Sequence, residues 1–220
     1  VLLHWLGAIN VRVVYIPFLY QFPTWAQRLY KGVEWRRDPS SKVVYLTFDD
    51  GPIPECTPIL LDILGRYDVK ATFFMVADNA ERYPDLLTRV RAAGHRVGNH
   101  TYHHLRGCKN DTATYVADVQ RANKVLQTPL FRPPHGRMTY TQKRTIIDAG
   151  YKICLWDVLT HDYNPCYTEE KMLEIVKRYV RNGSIIVFHD SLKSKDRMLK
   201  VLPLVIEWLQ EEGYTFGILD

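Results

Sequence analysis

The stretch Tyr45-Leu46-Thr47-Phe48-Asp49-Asp50-Gly51-Pro52 ends an apolar run on two adjacent carboxylates. Neighbouring carboxylates repel, so a chain keeps such a pair where a cation, a reactive water or a solvated turn offsets the cost. Asp, Gly and Pro are also common turn residues, but turn chemistry needs only one Asp. Further on, His100 and His104 stand four apart in His-Thr-Tyr-His-His. Two imidazoles at that spacing share one face of a helix and can chelate one ion such as zinc, cobalt, nickel or iron. With a rim carboxylate as third ligand they make a two-histidine, one-acid set that holds zinc and leaves a position open for substrate. The second position carries no Glu, so the H-E-x-x-H metalloprotease pattern is absent. Arg132 precedes Pro133 and Pro134; its planar fork suits a carboxylate, and the rigid turn aims a backbone N–H. His189 closes an apolar run and is a candidate proton donor. His4, His95 and His161 have no such companions and read as structural or exposed, while His103 points away from its neighbours.

Seven β-branched or aromatic runs can carry these residues: 42–48, 71–77, 95–99, 130–133, 151–156, 184–189 and 214–219. Between them, apolar 3–4 spacing predicts helices over 57–67, 84–94, 112–126, 141–150, 168–180 and 198–213. Gly94, Gly150 and Gly213 fall where C-caps belong, and Thr57 and Thr168 where N-caps belong. Strands alternating with helices imply an α/β fold with a largely parallel sheet. Neither G-x-G-x-x-G nor G-x-x-x-x-G-K-[ST] occurs. An irregular (β/α) barrel with about seven parallel strands fits the count. In such barrels the working residues sit at the C-terminal ends of strands. Asp49–Asp50, His100–His104, Arg132, Trp156–Asp157 with Asp162 beyond, and His189–Asp190 fall at five such ends in turn. One coincidence is noise; five on one rim make a site.

The 220 residues are 46% hydrophobic and 24% charged, ordinary globular values that suffice for one sizeable core. A net charge of +5 comes with scattered basic residues and no basic block interleaved with aromatics, so no nucleic-acid partner is expected. Four cysteines without a C-x-x-C offer neither a disulfide framework nor a thiolate zinc site. The apolar N-terminus contains His4, Asn10, Arg12 and Pro17; it reads as a strap on the domain or a peripheral membrane contact.

In order, T-F-D-D-G-P, H-T-x-x-H, R-P-P-x-G, W-D-V-L-T-H-D-Y and I-V-F-H-D make the chain similar to the polysaccharide deacetylase family, the NodB-homology group or carbohydrate esterase family four. The resemblance runs from residue 42 to 220 as a catalytic domain of deformed-TIM-barrel type, with 1–41 as an extension leading into it. It implies a metal-dependent hydrolase that removes acetyl groups, N-acetyl first and O-acetyl second, from a polysaccharide or oligosaccharide. By resemblance Asp49 is the catalytic base, steadied by Arg132, and His189 the general acid, tuned by Asp162. Asp50, His100 and His104 would bind one divalent ion, zinc first with cobalt or nickel as alternatives. Pro134, His135, Tyr163 and Val187 would line the substrate pocket. Three of these depart from the usual pattern: His135 replaces Tyr, Tyr163 replaces Trp and Val187 replaces Leu. Family substrates point to the cell envelope or periplasm. A small-molecule amide hydrolase, or a carbohydrate-binding protein without turnover, would use the same parts.

Overall fold

The computed structural model describes residues 20–27 and 30–220; the expected N-terminal strap or membrane contact lies largely outside them. Among them nine strands form: β1 (Val33–Glu34), β2 (Val43–Asp50), β3 (Thr72–Met75), β4 (Arg96–Asn99), β5 (Leu130–Phe131), β6 (Lys152–Cys154), β7 (Val158–Leu159), β8 (Ile185–His189) and β9 (Thr215–Phe216). Eight run in the order β1-β6-β5-β4-β3-β2-β8-β7, and β9 joins the start of β2. Every named pairing is parallel. The sheet curls into a barrel left open between β1 and β7. Residues just ahead of β1 lie across the gap: Gln21 bridges Val158, and Phe22 stacks on Trp35 with ring centroids 4.6 Å apart.

The expected α/β barrel therefore forms, with two strands more than the seven runs. β1 and β7 are two residues long, too short to display a period of two. β1 falls within 1–41 and pairs with β6, so the sheet begins ahead of Lys42. Eight α-helices accompany it among the described residues: α1 (Thr24–Gln27), α2 (Thr57–Arg66), α3 (Ala77–Arg82), α4 (Pro84–Ala92), α5 (Thr112–Leu126), α6 (Tyr140–Asp148), α7 (Glu169–Tyr179) and α8 (Lys195–Glu211). α3 is unanticipated, since its single turn and a half follows β3 with no apolar periodicity of its own. Among the described residues no helix is long and apolar enough to cross a membrane.

Strand alternation divides the apolar residues between two cores. Val44, Leu46 and Phe48 of β2 join Leu60 and Leu64 of α2 and Val201, Leu202 and Val205 of α8. Phe48 sits 5.2 Å from Phe73 and 5.8 Å from Phe188, centroid to centroid. On the opposite face Phe74, Leu130, Cys154, Ile185 and Leu219 form a plug beneath Trp156. Each fully buried side chain of this kind contributes roughly 1.5–3 kcal/mol, so these two layers hold the strand ends in place.

Two assignments change. Thr168 caps α7 through its hydroxyl, which accepts from Lys171 N, but Thr57 is the first residue of α2, and its N-cap is Cys56. The Thr57 hydroxyl instead donates to Asp190 Oδ2 at 2.6 Å. Asp157 is not on the rim with the other polar residues. Its N–H bonds Ile185 O, at the start of β8, whereas His189 ends that strand. There the fully buried carboxylate accepts from Arg181 at 2.6 and 2.9 Å, from Ser184 at 2.8 Å, and from Gln21 and Gln27 at 3.2 and 3.3 Å. It closes the far end of the barrel against the chain ahead of β1.

Replacing Asp157 with Ala leaves Arg181 and Ser184 without their acceptor. The urea midpoint should drop by the equivalent of about 3–5 kcal/mol, the range for breaking a buried ion pair; a loss under about 1 kcal/mol would show that the clasp is not structural.

Candidate active site

Parallel pairing brings the two reactive-looking groups together. In the β2–β8 register Asp49 lies opposite His189, so side chains far apart in sequence leave neighbouring strands on one face. Thr47, two residues before Asp49, shares that face. Arg132, with no exposed surface, fills the space between. Its NH1 donates to Asp49 Oδ1 at 2.7 Å and to Thr47 Oγ1 at 2.8 Å. Nε and NH2 donate to the carbonyls of Cys154 and Leu155 at 3.1 and 2.9 Å, and the guanidinium lies 4.0 Å from the centroid of Phe74.

Asp50 leaves this face because its backbone turns. Its φ of 82° is left-handed, a conformation Asp tolerates better than most residues, and its carboxylate swings towards the histidines. The following Gly51 cannot carry a side chain, since a Cβ would fall 2.1 Å from Asp190 Oδ2. The adjacent acids thus have separate surroundings, Asp49 buried against Arg132 and Asp50 partly exposed.

His100 and His104 meet Asp50 without a helix. The segment after β4 is irregular, with Thr101 at φ 65° and His104 at φ 56°. Side chains hold it in that shape: Asn99 Oδ1 accepts from Thr101 N at 2.8 Å, and Asp118 of α5 accepts from Tyr102 N, His103 N and His103 Nδ1. His103 is thereby turned away, as its spacing predicts. His100 donates Nδ1–H to the carbonyl of Arg132 at 2.7 Å, which leaves the Nε2 lone pair facing Asp50 Oδ1 at 3.7 Å. His104 Nε2 lies 3.2 Å from the same oxygen. One donor atom from each of Asp50, His100 and His104 falls within 4.8 Å of the others.

This donor set fits a divalent cation. Burial pushes the His100 pKa down to about 4, so the imidazole is neutral, as a ligand must be. For Asp50 burial acts upward, but the His104 hydrogen bond and the positive charge of His189 outweigh it and hold the carboxyl well below the usual range. Two imidazoles and one carboxylate are the composition of many catalytic zinc sites.

Across the pocket Asp162, fully buried, grips His189 twice. One oxygen accepts from His189 Nδ1 and the other from its backbone N–H, both at 2.7 Å. Burial opposes protonation of His189, yet the charge and hydrogen bond of Asp162, with Asp50 and Asp49 beyond, raise its pKa to about 9. Its Nε2 is left for the cavity. Tyr163 stands edge-on to His189, centroids 5.0 Å apart at 83°, and its hydroxyl lies 3.2 Å from His161 Nδ1.

These groups surround a cavity of about 510 Å³, within the roughly 300–1,000 Å³ of small-ligand sites. Asp49, Asp50, His100, His104, His135, Tyr163 and His189 line it. Arg132 and Asp162 lie behind it, bonded to Asp49 and His189. Pro134 is buried outside the lining, and Val187 is fully enclosed within β8. Leu159, paired with Val187 in the β7–β8 register, supplies the aliphatic wall instead, together with Trp156. Leu159 ends a strand that sequence periodicity could not reveal. The rim residues Arg106, Lys109, Arg137, Ser191 and Lys193 come from loops, where no sequence pattern marks them.

Zinc titrated into the purified chain should saturate at one ion per molecule. Asp118→Asn, which frees the loop carrying both histidines, should weaken binding by about 10–100-fold, as removal of groups that orient metal ligands does; unchanged affinity would mean the loop holds its shape without Asp118.

Comparison with known proteins agrees with this geometry. The polysaccharide deacetylase family model matches residues 36–154. A peptidoglycan-N-acetylglucosamine deacetylase of Bacillus cereus is 32% identical over 192 residues, covering 84% of this chain and 89% of that protein. A chitooligosaccharide deacetylase of Bradyrhizobium is 30% identical over 192 residues, 79% of this chain and 87% of its own. The crystal structure of the Bc1960 peptidoglycan N-acetylglucosamine deacetylase superposes with a TM-score of 0.81 at 28% identity, over 90% of this chain and 95% of that one. With the ordered motifs gathered on one rim of the same fold, the chain belongs to the polysaccharide deacetylase family, carbohydrate esterase family four.

Proposed function

We propose that the chain hydrolyses N-acetyl groups on amino-sugar residues of a cell-envelope polysaccharide, with zinc as the ion held by Asp50, His100 and His104. The observation that carries this is the placement of Asp49 and His189 side by side on β2 and β8, both lining the cavity that Asp50, His100 and His104 also line. The named substrates of the relatives, peptidoglycan and chito-oligosaccharides, support an acetamido sugar polymer.

The bound ion supplies Lewis acidity, which acidifies water and polarises an acetyl carbonyl. The chain's own groups do the rest. Arg132 and Thr47 fix Asp49, whose free Oδ2 points towards His100, where it takes the proton of the attacking water. The His135 turn, in left-handed conformation at φ 59°, borders the place where the oxyanion develops. His189, protonated at neutral pH, gives its Nε2 proton to the departing nitrogen as the C–N bond breaks. An amine is a poor leaving group until protonated, so an acid held above its ordinary pKa suits an amide better than an ester. Trp156, Leu159 and Tyr163 offer an apolar wall for the acetyl methyl group.

Acetate release from acetylated chito-oligosaccharides and peptidoglycan, assayed with the zinc-loaded chain, tests the reading directly. Activity should appear with metal, vanish with chelation, and fall by at least about 10²-fold in Asp49→Asn, the low end of a base's contribution. No acetate from any acetylated glycan would overturn it.

The pH profile carries a second prediction. His189 must be protonated to act, so kcat falls as pH rises through its pKa, between the ordinary imidazole value and about 9. The cation on Asp50 offsets the acidic side's share of that rise, and Asp162 retains its own. Asp162→Asn should move the alkaline limb to lower pH and reduce kcat; an unmoved limb would take His189 out of the acid's role.

A further inference from the structure

The cavity has an uneven charge distribution. Among the described residues its only acidic lining groups, Asp49 and Asp50, lie at the floor and are committed to Arg132 and to the imidazoles. Four basic side chains, Arg106, Lys109, Arg137 and Lys193, line the mouth. Elsewhere basic groups such as Arg37, Arg82, Arg144 and Lys171 rest against carboxylates. Among the described residues no carboxylate pairs with Arg106, Lys109 or Lys193, and all three are exposed.

The placement is directional. Arg106 and Lys109 follow β4, and Lys193 follows β8; β3 and β2 lie between. Gln142 of α6 holds the first segment by donating to the carbonyls of Gly107 and Asn110 at 2.9 and 3.0 Å, so the two groups of cations reach the mouth from separate strand ends. Arg106 Nε donates to His135 Nε2 at 3.1 Å, which fixes the guanidinium plane at the mouth and leaves its terminal nitrogens for a carboxylate fork. Like charges gathered around a concavity with low-dielectric walls focus a positive potential over the entrance. A neutral glycan binds through hydroxyls and stacking and gains nothing from that potential.

We propose that this rim recognises carboxylates, so that the substrate is an acidic glycan whose acetamido sugars are flanked by carboxylate-bearing residues, held by Arg106 and Lys109 on one side and Lys193 on the other. The inference rests on the deacetylase reading and narrows it: acidic acetamido polymers are preferred to neutral ones of the same length.

The experiment compares three probes: an acidic acetamido glycan with free carboxylates, the same glycan with those carboxylates converted to methylamides, and a neutral chito-oligosaccharide of equal length. The zinc-loaded chain should favour the free acid over its amide by about three- to tenfold in kcat/KM, the scale of two exposed ion pairs. The preference should lie in KM and shrink as salt rises. Lys109→Gln with Lys193→Gln should bring the acid-to-amide ratio close to one, whereas Lys124→Gln with Lys177→Gln, away from the mouth, should leave that ratio in place. Equal kcat/KM for acid and amide, or a ratio indifferent to the rim variant, overturns the proposal while leaving deacetylation intact. Absence of acetate from all three probes is failure of the deacetylase reading instead; calorimetric binding of acid and amide forms then tests the rim alone, and equal affinities overturn it.

Discussion

A guanidinium with no exposed surface stands at the centre of this molecule. Burying such a charge costs several kcal/mol unless its donors are satisfied and a counter-charge is near. Arg132 meets that demand by bonding Asp49 and Thr47 of β2 and the carbonyls of Cys154, which ends β6, and of Leu155 just after it. Its own carbonyl in turn accepts from His100. One residue therefore joins the Asp49 carboxylate, the orientation of the His100 imidazole and the strand opposite. The chemistry of the rim depends on this buried pair staying whole.

Around it, similar groups are given different work by their surroundings. Asp49 and Asp50 are adjacent, yet one is locked against a cation and the other turned by left-handed backbone towards two histidines. The histidines divide as well: burial keeps His100 neutral, while Asp162 keeps His189 protonated. Pushing the pKa values of like groups apart is how a single site holds both a base and an acid at one pH. Five of the seven non-glycine residues with positive φ among the described residues, Asp50, Thr101, His104, His135 and His161, belong to the loops at this rim. Sparsely populated backbone conformations concentrate where geometry matters to function. Here Asn99 holds Thr101, and Asp118 holds the Tyr102–His103 stretch between Thr101 and His104.

Much of this was legible in the chain. The runs that became β2, β3, β4, β6 and β8 announce themselves by branched and aromatic content, and the helices by 3–4 spacing and their caps. Other features were not. β1 and β7 are too short for any period to appear, and with β7 went Leu159, so Val187 was assigned a wall that its neighbour supplies. The four-residue spacing of His100 and His104 suggested a helix because that is the simplest way to align them; an irregular loop braced by Asp118 does the same. Asp157 looked like another rim acid because it follows a strand-like run, but that run ends at Cys154 and Asp157 immediately precedes the next strand, at the other end of the barrel.

By itself the sequence determined the cast: which residue types close which strands, a donor set suited to a divalent ion, and a carboxylate and an imidazole as candidate base and acid. These are local properties, readable because side-chain chemistry and strand periodicity are written in consecutive residues. Only the tertiary structure decided who stands beside whom. Alternation says which face a residue takes but not which strand lies next to it, and parallel pairing is wholly non-local. The β2–β8 register that sets Asp49 beside His189, the burial that separates His100 from His189 in charge, and the convergence of Arg106, Lys109 and Lys193 at one mouth all arise from that pairing.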